Sequence, residues 1–210
     1  MPDGYKNEVM FAVELLKQFH IARQARNLAA AADSARLCIM VWKAIAADRA
    51  FYDATSGFQA TVWNDLAANW MYLWELTGRA EAFEKALAAQ KTAHIICSMP
   101  PGPSSAYFVN LVVMFEARFA ILGDVNDMET AFELARAATS LMWNSPTDRY
   151  QGVRKLAAIA RKSLIPRHLD IALQQAAEGV SDPRSAPELS EEYRSLARWA
   201  STRASTANDA

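Results

Sequence analysis

Glycine, proline and cysteine are scarce in this chain of 210 residues, which has 7, 8 and 2 of them. So few glycines and prolines exclude a collagen-like or loop-dominated chain and leave long stretches free of helix breakers. The two cysteines, Cys38 and Cys97, lie far apart with no CxxC pair, so each is expected to be a buried, reduced thiol. Val, Ile and Thr never alternate with polar residues over a strand-length run, which argues against β structure. No apolar run approaches the roughly 20 residues of a membrane span. The N-terminus Met1-Pro2-Asp3-Gly4 lacks the charged start and apolar stretch of a signal peptide. A soluble, cytoplasmic protein is expected. With 22 basic and 23 acidic residues the formal net charge is -1, which gives no electrostatic reason to expect nucleic acid as partner.

What is present is apolar and helix-favouring. Apolar residues make up 52% of the chain, and many are alanine. Four segments share one pattern: Leu28-Ala-Ala-Ala31, Phe83-Glu-Lys-Ala86, Met128-Glu-Thr-Ala131 and Leu169-Asp-Ile-Ala172. Each opens on a large apolar residue, and small residues follow at helical spacing, a stripe against which a neighbouring helix packs closely. A second helix precedes each segment, most clearly Trp63–Gly78 and Phe108–Gly123. Gly78 and Gly123 stand five residues before the next apolar opener, where glycine suits the left-handed position that ends a helix. Arg23 and Leu164 hold that offset in the outer repeats. Met99–Ser105, Asn144–Asp148 and Ser181–Pro187 carry proline and read as loops. Helix pairs are thus expected over about residues 5–45, 58–98, 106–143 and 149–179. A terminal helix over 190–203 and a disordered tail over 204–210 follow. The fold class is all-α.

The run Asn64-Asp65-Leu66 … Glu75-Leu76-Thr77-Gly78 resembles the first helix of the tetratricopeptide-like repeats that accompany CHAT domains. The next repeat matches at Asn110-Leu111, Arg118-Phe119, Gly123-Asp124, Asp127-Met128-Glu129 and Ala131, and Pro100-Pro101-Gly102 resembles that family's proline-rich linker. The likeness covers about residues 58–141. It implies antiparallel helix pairs stacked into a right-handed α-solenoid. It also implies a non-catalytic interaction module that holds a peptide or protein segment on its concave face. The chain has no His and Cys arranged as the CHAT catalytic pair.

Three features bear on chemistry. Asn126-Asp-Met-Glu-Thr-Ala-Phe-Glu133 nearly forms a magnesium triad, but the ligand position after Asn126 and Thr130 is Leu134, and Glu133 is turned about 100° away. Asn126 and Asp127 therefore read as the start of a helix. His20, His94 and His168 fall in different repeats and form no ligand pair. No metal, cofactor or catalytic residue is expected. Trp63, Trp70 and Trp74 share one helix face and read first as packing residues, second as an aromatic groove.

Opposite those tryptophans lie Asp65, Asn69, Tyr72 and Leu76. Equivalent inner positions are Asn110, Val113 and Ala117, then Gln151, Arg154, Lys155, Ala158 and Arg161, with Arg118 beside them. The expected partner-binding strip is Asp65, Asn69, Tyr72, Asn110, Arg118, Arg154, Lys155 and Arg161. Its basic end suits an acidic peptide or a carboxylate terminus. The apolar first helix between Val9 and Phe19 favours a homodimer or docking to another domain. The alternative is an all-α enzyme or small-ligand sensor with an apolar, Trp-lined pocket.

Overall fold

The computed structural model describes residues 3–97, 105–140, 146–163, 165–182 and 187–208. Among the described residues every regular element is helical: α1 (Lys6–Gln24), α2 (Leu28–Ala47), α3 (Ser56–Thr77), α4 (Ala80–Cys97), α5 (Ser105–Leu122), α6 (Val125–Thr139), α7 (Pro146–Lys162), α8 (Pro166–Ser181) and α9 (Glu188–Asn208). Short 3-10 turns cover Asp3–Tyr5 and Arg49–Asp53. No described helix is long and apolar enough to cross a membrane. The chain divides into two compact units, Met1–Gly102 and Pro103–Ala210. The proline loops expected at 99–105 and 181–187 fall largely outside the described residues, whereas residues 146–148 of the loop expected at 144–148 form the first turn of α7, where proline needs no N–H partner. The last helix starts before Ser190 and continues past Arg203 to Asn208, into the stretch expected to be disordered.

Local chemistry sets the helix boundaries. Asn27 Oδ1 accepts the Ala30 amide at 3.1 Å, Thr55 Oγ1 the Phe58 amide at 3.4 Å and Asp124 Oδ1 the Asn126 amide at 3.0 Å. Each satisfies a donor that a first turn leaves unpaired. Pro166 opens α8, where its missing N–H costs nothing. Gly78 (φ 65°) and Gly123 (φ 69°) take the left-handed turn after α3 and α5, as their positions predict.

In the first pair the left-handed residue is Arg26 (φ 57°), not glycine, and α2 begins two residues later. Since α4 and α6 also begin two residues past their glycines, Arg26 is the counterpart of Gly78 and Gly123. That shifts the register. Leu28 is 55% exposed, whereas Phe83 and Met128 are buried, and the position matching them in α2 is the fully buried Ala31. The first helix pair therefore puts alanine where the next two put a large side chain. The space left is filled from α1: the Phe19 ring packs on Ala31 and Ala35 and stacks on Tyr72 of α3 at 4.6 Å between centroids. Burying such a ring contributes about 1.5–3 kcal/mol.

Gln59 of α3 secures the Arg49–Asp53 turn, because its amide nitrogen donates to the carbonyls of Phe51, Tyr52 and Ala54 at 3.0, 3.0 and 2.9 Å. In the second unit, Val153, Ala176 and Leu189 join α7, α8 and α9 in one core. Gly179 lets α8 approach Leu189 so closely that a Cβ there would collide with the buried leucine methyl. Ion pairs bind the helices sideways. Arg118 meets Asp127 through two bonds of 2.8 and 2.5 Å, and Arg149 meets Asp182 at 2.7 Å.

Candidate functional site

Two open hollows in the first unit combine apolar walls with charged groups. One lies over α3 between α2 and α4 and has a volume of about 500 Å³. Trp63 and Trp70 form its floor, both half-buried. They are two helical turns apart, about 10 Å along the axis. Alanines make the walls, Ala46 and Ala47 from α2 and Ala88 and Ala89 from α4, and these short side chains leave space beside the indoles. Lys43 and Lys85 stand at the rim. The Lys85 ammonium sits 4.8 Å from the centroid of the Trp70 ring and pairs with Glu81 at 2.5 Å. Trp74, third in the tryptophan row, turns into the helix interface, with its ring edge-on to Phe83 at 5.1 Å. The row thus divides: one ring packs and two line a groove.

The second hollow lies between α1 and α3, with a volume of about 470 Å³. Val9 and Val13 of α1, Trp42 of α2 and Phe58 and Thr61 of α3 line it, and Asp65 is its one ionisable lining group. The Asp65 carboxylate accepts a single bond, from the Asn64 amide at 3.3 Å. Among the described residues no Lys, Arg or His pairs with it. Burial pushes its pKa above the ordinary carboxylate value, and the Asn64 hydrogen bond only partly offsets this. Cys38 is close enough to feel the charge. Burial first, and Asp65 second, raise its thiol to about 11, and its Sγ donates to the Ala12 carbonyl at 3.4 Å.

The expected binding strip fares unevenly. Asp65 lines the hollow just described. Asn69 is 2% exposed and points inward: its amide nitrogen bonds the Asp65 carbonyl at 2.8 Å, and its Oδ1 is buried without a donor among the described residues. Tyr72 is half-buried against Phe19, and burial, then the Glu75 charge, raise its phenol pKa. The other five residues belong to the second unit. Asn110 is half-buried. Arg118 is committed to Asp127, Lys155 to Glu116 at 2.5 Å, and Arg161 to Glu192 at 2.9 Å. Lys162 adds a second cation to Glu116 at 2.8 Å. Burial alone would raise the Glu116 pKa; the two lysines outweigh it and hold the group below its ordinary value. Arg154 alone of the four basic residues is exposed with no ion pair among the described residues. Three cations expected to greet a partner thus join helices of the same unit.

The arrangement nearest to a catalytic one was not visible in the sequence. His168 Nδ1 lies 2.8 Å from Ser163 Oγ, and Nε2 lies 3.1 Å from Glu129 Oε2, which Arg167 also holds at 2.8 Å. The imidazole is stacked on Phe132 at 3.7 Å. His168 is 0% exposed and Ser163 3%, and Ser163 Oγ also accepts the Ile165 amide at 3.1 Å. A nucleophile needs room for a carbonyl beside it. This hydroxyl is enclosed and caps the turn from α7 to α8, so the chain of contacts secures a helix joint. At the near-miss metal motif, Asn126 donates its side-chain amide to Asp124 and Glu133 pairs with Arg136.

Sequence reasoning missed Lys43, Lys85, Trp42, Phe58, Val9 and Val13 as site residues. Trp42 and the Trp63/Trp70 pair carried a signal, being tryptophans in an alanine-rich chain. The others acquire meaning only through helices far apart in sequence. No protein-family profile, curated protein or solved structure matches this chain.

Proposed function

We propose that this chain is a non-catalytic protein-interaction module whose helix pairs are repeats of a tetratricopeptide-like right-handed α-solenoid. The observation that carries the reading is the Trp63–Trp70 groove. Aromatic floor, alanine walls and lysine rim provide apolar contact and charge selection, without converging acids and bases. Apolar anchors spaced three, four and seven residues apart on a partner helix match two indoles two turns apart. Lys43, with no ion pair among the described residues, favours acidic residues flanking those anchors. A reducing, cytoplasmic setting suits the two buried free thiols, Cys38 and Cys97.

Selection from a displayed library of twelve-residue peptides tests the reading. The expected consensus has apolar anchors at helical spacing with Asp or Glu beside them. Trp70→Ala is expected to weaken the selected peptide by a factor of about 10–100, the loss of one aromatic hot spot. Peptides that bind Trp70→Ala as well as the native chain would remove the groove from the function. Exposed Met10, Phe11 and Met40 on the first helix pair also favour a second copy of the chain as partner. Light scattering that shows a monomer at high concentration would count against that.

A further inference from the structure

We propose that the hollow between α1 and α3 binds an organic ammonium group, with the charge paired to Asp65 and the attached methylenes laid against Trp42, Phe58 and Val13. The site is distinct from the Trp63–Trp70 groove and does not depend on that reading.

The argument starts from what Asp65 lacks. A carboxylate withdrawn from water is costly unless a cation or several donors meet it. Elsewhere the chain follows that rule: Asp127 has Arg118, Glu116 has Lys155 and Lys162, and Glu129 has Arg167. Asp65 has one long bond from a neutral amide. Half-buried in the lining of an open, mostly apolar hollow, it has no cation partner among the described residues.

The walls select the kind of cation. Trp42 and Phe58 add aromatic rings, which attract positive charge, to a lining in which Val9 and Val13 offer no donors; one face of Phe58 is already stacked on Tyr5. A strongly hydrated divalent ion needs several oxygen ligands. The hollow supplies one carboxylate, and no group of three potential metal-binding side chains occurs among the described residues. Anions are repelled by the only charge present. An alkylammonium fits all three conditions: one charge, three donors on one nitrogen and an apolar stem. A volume of about 470 Å³ admits a lysine side chain or a free amine of similar length. Both sources share this chemistry.

Calorimetry on the full chain at neutral pH, with n-hexylammonium and hexan-1-ol as matched probes, tests the site. Saturable binding of hexylammonium is expected, at least tenfold tighter than the alcohol, and weakened at least tenfold by Asp65→Asn. Val13→Lys, at the mouth of the hollow, is expected to supply a tethered ammonium and to weaken the probe likewise. Because Val13→Lys leaves Asp65 in place, it keeps the test valid if Asp65→Asn fails to fold. A blocked Ala-Lys-Ala peptide that binds tighter than hexylammonium assigns the site to a lysine side chain; the reverse order assigns it to a free amine. Equal binding of the alcohol, undiminished binding to folded Asp65→Asn, or no saturable binding by the native chain would overturn the proposal.

Discussion

Lys85 holds its ammonium 4.8 Å above the Trp70 ring while bonding to Glu81 one turn back. The indole and the cation it attracts belong to different helices, so this contact joins α3 to α4 and sets the positive rim of the groove. Lys85→Gln is expected to lower stability by no more than about 1 kcal/mol, the value of an exposed cation–π contact. It is also expected to change tryptophan emission, because a charge leaves the ring face. Urea titration and fluorescence read the two effects. A loss well above that size would mean that Lys85 supports packing as well as the rim.

Arg118 and Asp127 form a largely buried ion pair in the second unit, with the Asp127 side chain 3% exposed. Arg118→Leu strands that carboxylate and is expected to cost about 3 kcal/mol, the low end for a broken buried pair because the arginine is partly exposed. Arg118→Leu combined with Asp127→Leu is expected to recover much of the loss. A double-mutant cycle by denaturant titration gives the coupling.

Acid is expected to loosen the second unit through Glu116 and Glu129. Burial opposes ionisation of both. Lys155 and Lys162 outweigh it at Glu116, Arg167 and His168 at Glu129, and both folded pKa values lie below the ordinary 4.5. A depressed carboxylate contributes its full stability above the unfolded pKa and loses it as pH falls through the folded one. The melting temperature should therefore drop below pH 4.5, and Glu116→Gln should flatten that drop while lowering stability at neutral pH.

Cys38 should be inert in the native chain. It is fully buried and its thiol pKa is raised to about 11. In a Cys97→Ser background, a thiol reagent at pH 8 should label Cys38 only as fast as the chain opens. Rapid labelling without denaturant would contradict the packing of α1 on α2.

Gly179→Ala places a methyl group against the Leu189 side chain, which is 1% exposed and has little space to yield. Overpacking of this kind costs about 1–3 kcal/mol. Thermal unfolding should show it, and adding Leu189→Ala should relieve the collision while leaving a cavity of its own.

Much of the helical plan was legible in the residues. Gly78 and Gly123 announced their turns because few other residues adopt a positive φ cheaply, and Asn126 and Asp127 marked the start of α6, although the cap itself is Asp124. Arg26 hid the first turn, because arginine carries no such signal. The repeat pattern then slipped by three residues, and exposed Leu28 stood where buried Ala31 belongs. The ion pairing of the basic strip was hidden for another reason. Helical spacing placed Arg118, Lys155 and Arg161 on a face, but Asp127, Glu116 and Glu192, which neutralise them, come from other helices.

The sequence by itself determined that the chain is all-α, that helices end at Gly78 and Gly123, and that three tryptophans share one face of α3. Those properties depend on neighbours within a few residues, through backbone hydrogen bonds, caps and the 3.6-residue turn. Tertiary structure decided which charges are spent on holding helices together and which are not. It enclosed Ser163 and His168, paired Arg118, Lys155 and Arg161 with carboxylates, and left Asp65 in one hollow with Trp42 and Phe58 and with no cation partner among the described residues. Desolvation and ion pairing depend on what packs beside a group, and the residues that decide them here are brought together only by folding.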